Sequence, residues 1–200
     1  MSKRIIRTER KTNDYGGLTS IGHVYKRLDM YAGSSYKKKH TNLIYDNGKL
    51  VNKEINLPEA VQRVFLEIIS NAGDNADSSR RAGISPGKIE ISVNSTTVRI
   101  KNAGLAIPVE KIVLEEHGSN VDVKKYQEGD KDFTWLPAYI FGYLRSSNNY
   151  DDENIIRTGA GRNGIGAKLT NILSKRFMVE VEDPDNKLKF VGVWRDNMFM

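Results

Sequence analysis

The segment Val64-Phe65-Leu66-Glu67-Ile68-Ile69-Ser70-Asn71-Ala72-Gly73-Asp74-Asn75-Ala76 sets both the packing and the chemistry expected of this 200-residue chain. Val61, Val64, Phe65, Ile68, Ile69, Ala72 and Ala76 recur at the i, i+3, i+4 spacing of an amphipathic helix and define the face expected to meet a core. At about 100° per residue, Glu67, Asn71 and Asp74 fall within about 60° of one another and centre about 130° from the middle of that face. An acid, an amide and a second acid can thus line one cleft. A carboxylate orients and deprotonates water, and an amide oxygen suits a hard cation such as Mg2+ that keeps most of its own waters. Taken alone, the stripe also fits the solvated side of an ordinary surface helix.

The flanking sequence bounds this helix. It is expected to start near Pro58, tolerated in a first turn, and to end at Gly83, with Pro86-Gly87 turning the chain into a sheet. Residues 42–56 carry a hairpin signal around Asp46-Asn47-Gly48. Residues 88–93 and 97–101 alternate as short strands and lead into Asn102-Ala103-Gly104-Leu105-Ala106-Ile107-Pro108-Val109. Residues 119–134, with Lys124-Lys125, Gly129 and Asp130-Lys131-Asp132, read as a mobile loop or insertion. A helix over 137–144 precedes a second polar stretch, 146–158. The glycine-rich Gly159-Ala160-Gly161-Arg162-Asn163-Gly164-Ile165-Gly166-Ala167-Lys168 then opens a helix through Leu173. Strands at 177–181 and 188–194 are joined by Asp183-Pro184-Asp185-Asn186. Residues 1–22, rich in Arg, Thr and Gly, read as an extended arm, and no internal repeat is present. The expected fold is α+β, a two-layer sandwich in which a mixed β-sheet is covered on one face by the helices that carry the site.

Composition narrows the functional classes. With 38% hydrophobic and 8% aromatic residues the chain has enough apolar material for one domain core. Without cysteine it has no disulfide or thiolate metal site, and His23, His40 and His117 make no ligand pair. No apolar run approaches the ~20 residues that cross a bilayer, so no membrane partner is expected and a soluble, intracellular protein is. The net charge of +6 favours an anionic partner, nucleic acid or nucleotide phosphate. Lys37-Lys38-Lys39-His40 reads as a loop, open either to DNA contact or simply to solvation.

Two phosphate motifs are rejected by context. Gly159-x-Gly161-x-x-Gly164 matches a dinucleotide fingerprint only in isolation, because it follows the charged stretch 150–157 rather than an apolar strand of a βαβ unit. A Walker A loop fails because Ala167 separates Gly166 from Lys168. A lid whose backbone N–H groups wrap a triphosphate, with Arg162, Asn163 and Lys168 as added donors, fits better.

The ordered set of helix, Asn102 loop and glycine-rich lid resembles the nucleotide site of the GHKL (Bergerat) superfamily. Within it the chain is similar to the ATPase domain of type IIA DNA topoisomerases of the eukaryotic topoisomerase II kind. The residues that carry the likeness are Lys26-Arg27-Leu28-Asp29-Met30-Tyr31-Ala32-Gly33-Ser34, Leu136-Pro137-Ala138-Tyr139-Ile140-Phe141-Gly142, Ser146-Ser147-Asn148-Asn149-Tyr150-Asp151-Asp152, Thr158 to Leu169, and Asn171-Ile172-Leu173-Ser174. The resemblance runs from about residue 24 to the end. It implies a domain over 23–200, incomplete at its C-terminal end, preceded by an arm over 1–22 that reaches a partner subunit. It also places the transducer, with its γ-phosphate lysine, and the DNA-cleaving tyrosine downstream of this chain.

In terms of residues, the resemblance implies that Glu67 is the general base for water attacking the γ-phosphate of ATP. Asn71 would hold Mg2+, Asn75 would reach ribose or phosphates, and Asn102 would recognise adenine. Asp74 could equally fix the helix or a water network. Ile107, Ile140 and Phe141 would wall the base pocket. Ser146, Ser147 and Asn148, together with Gly161, Arg162, Asn163, Gly164, Ile165, Gly166, Ala167 and Lys168, would contact the phosphates and sugar. Ala103 and Ala106 depart from the family loop, and a methyl at 106 restricts positive φ, so a shifted loop path is expected.

The implied function is an ATP-binding and hydrolysing module that closes a homodimer gate for passage of double-stranded DNA. It would act in the nucleus of a cellular eukaryote, or in a host cell or virion if viral. The alternatives are another GHKL ATPase of the MutL or chaperone kind, and a non-catalytic nucleic-acid-binding module.

Overall fold

The computed structural model describes residues 16–117, 120–144 and 165–198. The expected arm gives way to helix at Ser20, earlier than its proposed end at residue 22. Helix α1 (Ser20–Lys26) is capped by the Thr19 hydroxyl, which accepts from the Gly22 amide at 3.1 Å, and α2 (Leu28–Ala32) follows directly.

Strands β1 (Lys37–Asp46) and β2 (Lys49–Pro58) form one antiparallel hairpin. Its turn residues Asn47 and Gly48 have φ of 48° and 82°, as a primed two-residue turn requires. The hairpin is longer than the sequence suggested, and Lys37-Lys38-Lys39-His40, read as a loop, belongs to β1. The backbone of these residues is paired with 55–58, while Lys39 reaches Glu54 at 2.8 Å and Lys38 reaches Glu59 at 3.6 Å. A run of lysines tolerates a strand when its heads stay in water and its ladder is satisfied.

Helix α3 (Glu59–Arg81) ends at Arg81, with Ala82 as C-cap and Gly83 at φ 73° beyond it. It buries Ala60, Ala72, Ala76 and Ser79. Ala60 joins Val24 of α1, Ala32 of α2, and Leu169 and Ile172 of α5 (Gly166–Ile172) in one core cluster. Val61 is a correction: it is 56% exposed, not core, because the helix turn that aims Ala60 at this cluster points its neighbour about 100° away.

Strands β3 (Glu90–Val93) and β4 (Val98–Lys101) form within the expected stretches and pair antiparallel. The polar stretch 119–134 is not a simple loop. Its first part is strand β6 (Asn120–Lys125), paired with β5 (Lys111–His117), and β7 (Thr134–Trp135) lies on the other side of β5. The Lys111 ammonium sits 4.2 Å from the Phe133 ring centroid, 5.3 Å from Tyr126 and 5.8 Å from Trp135, so aromatic faces gather around one cation and hold the turn on its sheet.

Helix α4 (Leu136–Gly142) and the hairpin of β8 (Arg176–Asp183) and β9 (Leu188–Arg195) complete the described elements. The α+β class holds. Among the described residues the strands pair only antiparallel, in four hydrogen-bonded groups, where one mixed sheet was expected.

Candidate functional site

Two junctions converge on α3. The first joins its C-terminal half to the 102–109 loop. Asn75 donates through Nδ2 to the Leu105 carbonyl at 2.8 Å, and its Oδ1 accepts from Asn102 Nδ2 at 3.0 Å. One turn on, the Ser79 hydroxyl donates to the Asn75 carbonyl at 2.7 Å and accepts from the Leu105 amide at 2.8 Å. Ser79 has no exposed surface, so this hydroxyl bridges helix and loop out of contact with water. Gly104 lies directly over it at φ 105°, where any Cβ would collide with the Ser79 side chain. Both the backbone conformation and the space require glycine there. Ala106 is not left-handed, so its methyl is compatible with the observed path. The loop ends on a third anchor: the Val109 amide donates to Asp183 Oδ2 at 2.7 Å.

The second junction joins the middle of α3 to α5. Thr170 Oγ1 donates to the Val64 carbonyl at 2.9 Å, which brings the start of α5 against Glu67. A Cβ on Gly166 would collide with Glu67 Oε2, so the absence of a side chain lets backbone and carboxylate meet. The Glu67 side chain is 17% exposed, and Arg63 Nε contacts Oε1 at 2.5 Å. Lys168 is 4% exposed, and burial pushes its ammonium down to about 8. An anionic ligand beside this group would favour its protonated form.

The structure therefore brings Glu67, Asn71, Asp74 and Asn75 onto one helix, between Asn102 and the half-buried Ile107 on one side and Ile165, Gly166, Ala167 and Lys168 on the other. Asn71 and Asp74 are half-buried. Ile140 and Phe141 lie on α4. The Phe141 ring packs on Phe177 at 6.4 Å, and its carbonyl accepts from Asn171 Nδ2 at 3.1 Å, contacts that join α4 to β8 and α5. Ser146, Ser147, Asn148, Gly161, Arg162, Asn163 and Gly164 lie outside the described residues.

Sequence reasoning missed Ser79 and Asp183. Ser79 had a signal, since it continues the Glu67, Asn71, Asn75 series by one more turn. Asp183 had none, because its partner is 74 residues away. Among the described residues no cluster of His, Asp or Glu forms a metal cage. A cation here would rest on an amide oxygen, water and ligand oxygens, which is a donor set suited to Mg2+.

No family model matches the chain. DNA topoisomerase 2 of Invertebrate iridescent virus 6 is 34% identical over 194 residues, covering 96% of this chain and 16% of that protein. DNA topoisomerase 2 of Saccharomyces cerevisiae is 32% identical over 189 residues, covering 94% of this chain and 12% of that protein. The chain thus spans less than a fifth of the length of these relatives. Among solved structures, the ATPase region of Saccharomyces cerevisiae topoisomerase II superposes with a TM-score of 0.78 at 30% identity, covering 94% of this chain and 45% of that one. The ATPase and transducer domains of Balamuthia mandrillaris DNA topoisomerase II give 0.77 at 33% identity, covering 96% and 44%. With sequence and fold in agreement over nearly its whole length, the chain belongs to the type II DNA topoisomerases, within which it corresponds to the ATPase region of GHKL fold.

Proposed function

We propose that this chain binds ATP with Mg2+ and hydrolyses it, as the module whose nucleotide-driven homodimerisation closes a gate for double-stranded DNA passage inside the cell. Residues 23–200 form the ATPase domain in this reading and residues 1–22 an arm toward the partner subunit. The observation that carries it is the α3 stripe, which presents Glu67, Asn71 and Asn75 between the Asn102 loop and the start of α5.

Each residue then has a task suited to its chemistry. Asn102, held by Asn75, faces the adenine edge, and Ile107 lines its apolar side, with Ile140 and Phe141 contributing from α4. Asn71 offers its amide oxygen to the cation, whose charge offsets that of the triphosphate oxygens when bound. Ser146, Ser147, Asn148 and the lid residues Gly161, Arg162, Asn163 and Gly164 reach phosphate and sugar, continued by Ile165 through Lys168. Glu67 aligns the attacking water and takes its proton.

The test is magnesium-dependent binding of a non-hydrolysable ATP analogue, followed by calorimetry. Asn71→Ala should abolish the magnesium dependence. Equal affinity of the variant and the unmutated chain in the presence of magnesium would remove Asn71 from the metal role.

A further inference from the structure

Asp183 lies at the end of β8 and belongs to no part of the stripe described above. It is 3% exposed, and three N–H donors converge on its carboxylate. The Val109 amide and Asn186 Nδ2 each reach Oδ2 at 2.7 Å, and the Asn186 amide reaches Oδ1 at 3.0 Å. Those donors, Val109 first, hold its carboxyl below the usual range, so it stays an acceptor only.

The 102–109 loop is thereby tied at both ends. Asn75 and Ser79 on α3 take its first half, at Asn102 and Leu105. Asp183 takes its last residue, Val109, itself 3% exposed. Ile107 lies between the two anchors, and Pro108 separates it from the second. Between Leu105 and Val109 the loop is set by where these ends are held. A carboxylate that accepts from backbone N–H groups positions the chain without touching what the chain binds.

We propose that Asp183 is a positioning residue for base recognition: by anchoring Val109 it sets the placement of Ile107, and hence selectivity for the nucleobase rather than affinity for the phosphates. This rests on the nucleotide reading given above. The phosphate side of the site depends on α3 and α5, to which Asp183 contributes none of the contacts described.

Two probes separate the roles. One is a magnesium complex of a non-hydrolysable ATP analogue, compared with the matching GTP analogue, and the other is magnesium tripolyphosphate, which has no base. In Asp183→Ala the affinity for the ATP analogue should fall roughly tenfold, as expected for losing a hydrogen bond to a charged group, and preference over the GTP analogue should shrink with it. Tripolyphosphate binding should stay within about twofold of the unmutated chain. Should Asp183→Ala not fold, Asp183→Asn provides the same comparison. It keeps the volume and one acceptor oxygen but turns an amide NH2 toward one of the donors, so a smaller loss of the same kind is expected: reduced preference over the GTP analogue, with tripolyphosphate binding unchanged. Asn186→Ala, which spares the Val109 contact, should leave base preference unchanged. Equal loss for both probes, or unchanged base preference in Asp183→Ala and Asp183→Asn alike, overturns the proposal while leaving the nucleotide reading intact. An unmutated chain that binds neither probe overturns both.

Discussion

Glu67 and Lys168 are ionisable side chains at the junction of α3 and α5, and the surroundings of each constrain what it can do. Glu67 presents one oxygen to Arg63 and the other to the backbone at Gly166, so its replacement by Gln keeps the shape and removes the base. Assayed in a protein of the relatives' length, Glu67→Gln should retain ATP binding and lower turnover on the order of 100-fold, the usual scale for a general base. A fall of less than about threefold would put the base elsewhere. Lys168 is governed by desolvation, which brings its ammonium from the ordinary 10.5 to about 8. Its folded value lies below its unfolded value, so the unfolded chain binds more protons between about pH 8 and 10.5, and stability rises with pH through that window. Below pH 8 the buried charge costs about 3 kcal/mol. A triphosphate bound beside it, as proposed above, would reverse the preference. At pH 8 binding should therefore take up as much as about half a proton, and this uptake should vanish in Lys168→Met. Calorimetry in buffers of different ionisation enthalpy measures it, and uptake that persists in the variant would assign the proton to another group.

Helix α3 and the 102–109 loop behave as one element because Ser79 makes them share a buried hydroxyl. Removing that hydroxyl leaves the Leu105 amide without its partner, at a side chain that itself has no exposed surface. Ser79→Ala should thus destabilise the chain by about 1–3 kcal/mol, which at roughly 2–4 °C per kcal/mol is visible in a thermal melt. A loss under about 0.5 kcal/mol would mean that the loop refills the gap. The opposite junction depends on space rather than hydrogen bonding, since Gly166 is where α5 meets the Glu67 carboxylate. Both junctions place a glycine where a side chain of α3 comes closest, Ser79 at Gly104 and Glu67 at Gly166.

For the molecule as a whole, nucleotide binding and folding are linked, because the site is assembled from α3, the β4–β5 loop and α5, which lie apart in sequence. A Mg-ATP concentration about 100 times its dissociation constant should add about 2.7 kcal/mol of stability, a rise in melting temperature of roughly 5–10 °C. Duplex DNA alone, offered at the same excess, should leave the melt unmoved, and the reverse pattern would favour a nucleic-acid-binding module. Much of this was legible beforehand. The period of residues 64–76 marked α3 and its polar stripe, because helical geometry converts spacing into direction without help from the rest of the chain. Asn47-Gly48 marked its hairpin for the same local reason. Motif order marked the family and the GHKL fold. The lysines of β1 and the polar β6 were misread because pairing partners, not their own side chains, made them strands. Val61 was misread because the period gives a face but not which turns of it are covered. Ser79, Gly104 and Asp183 owe their roles to contacts 25 to 74 residues apart, and a hydrogen bond across such a separation exists only once the intervening chain has folded.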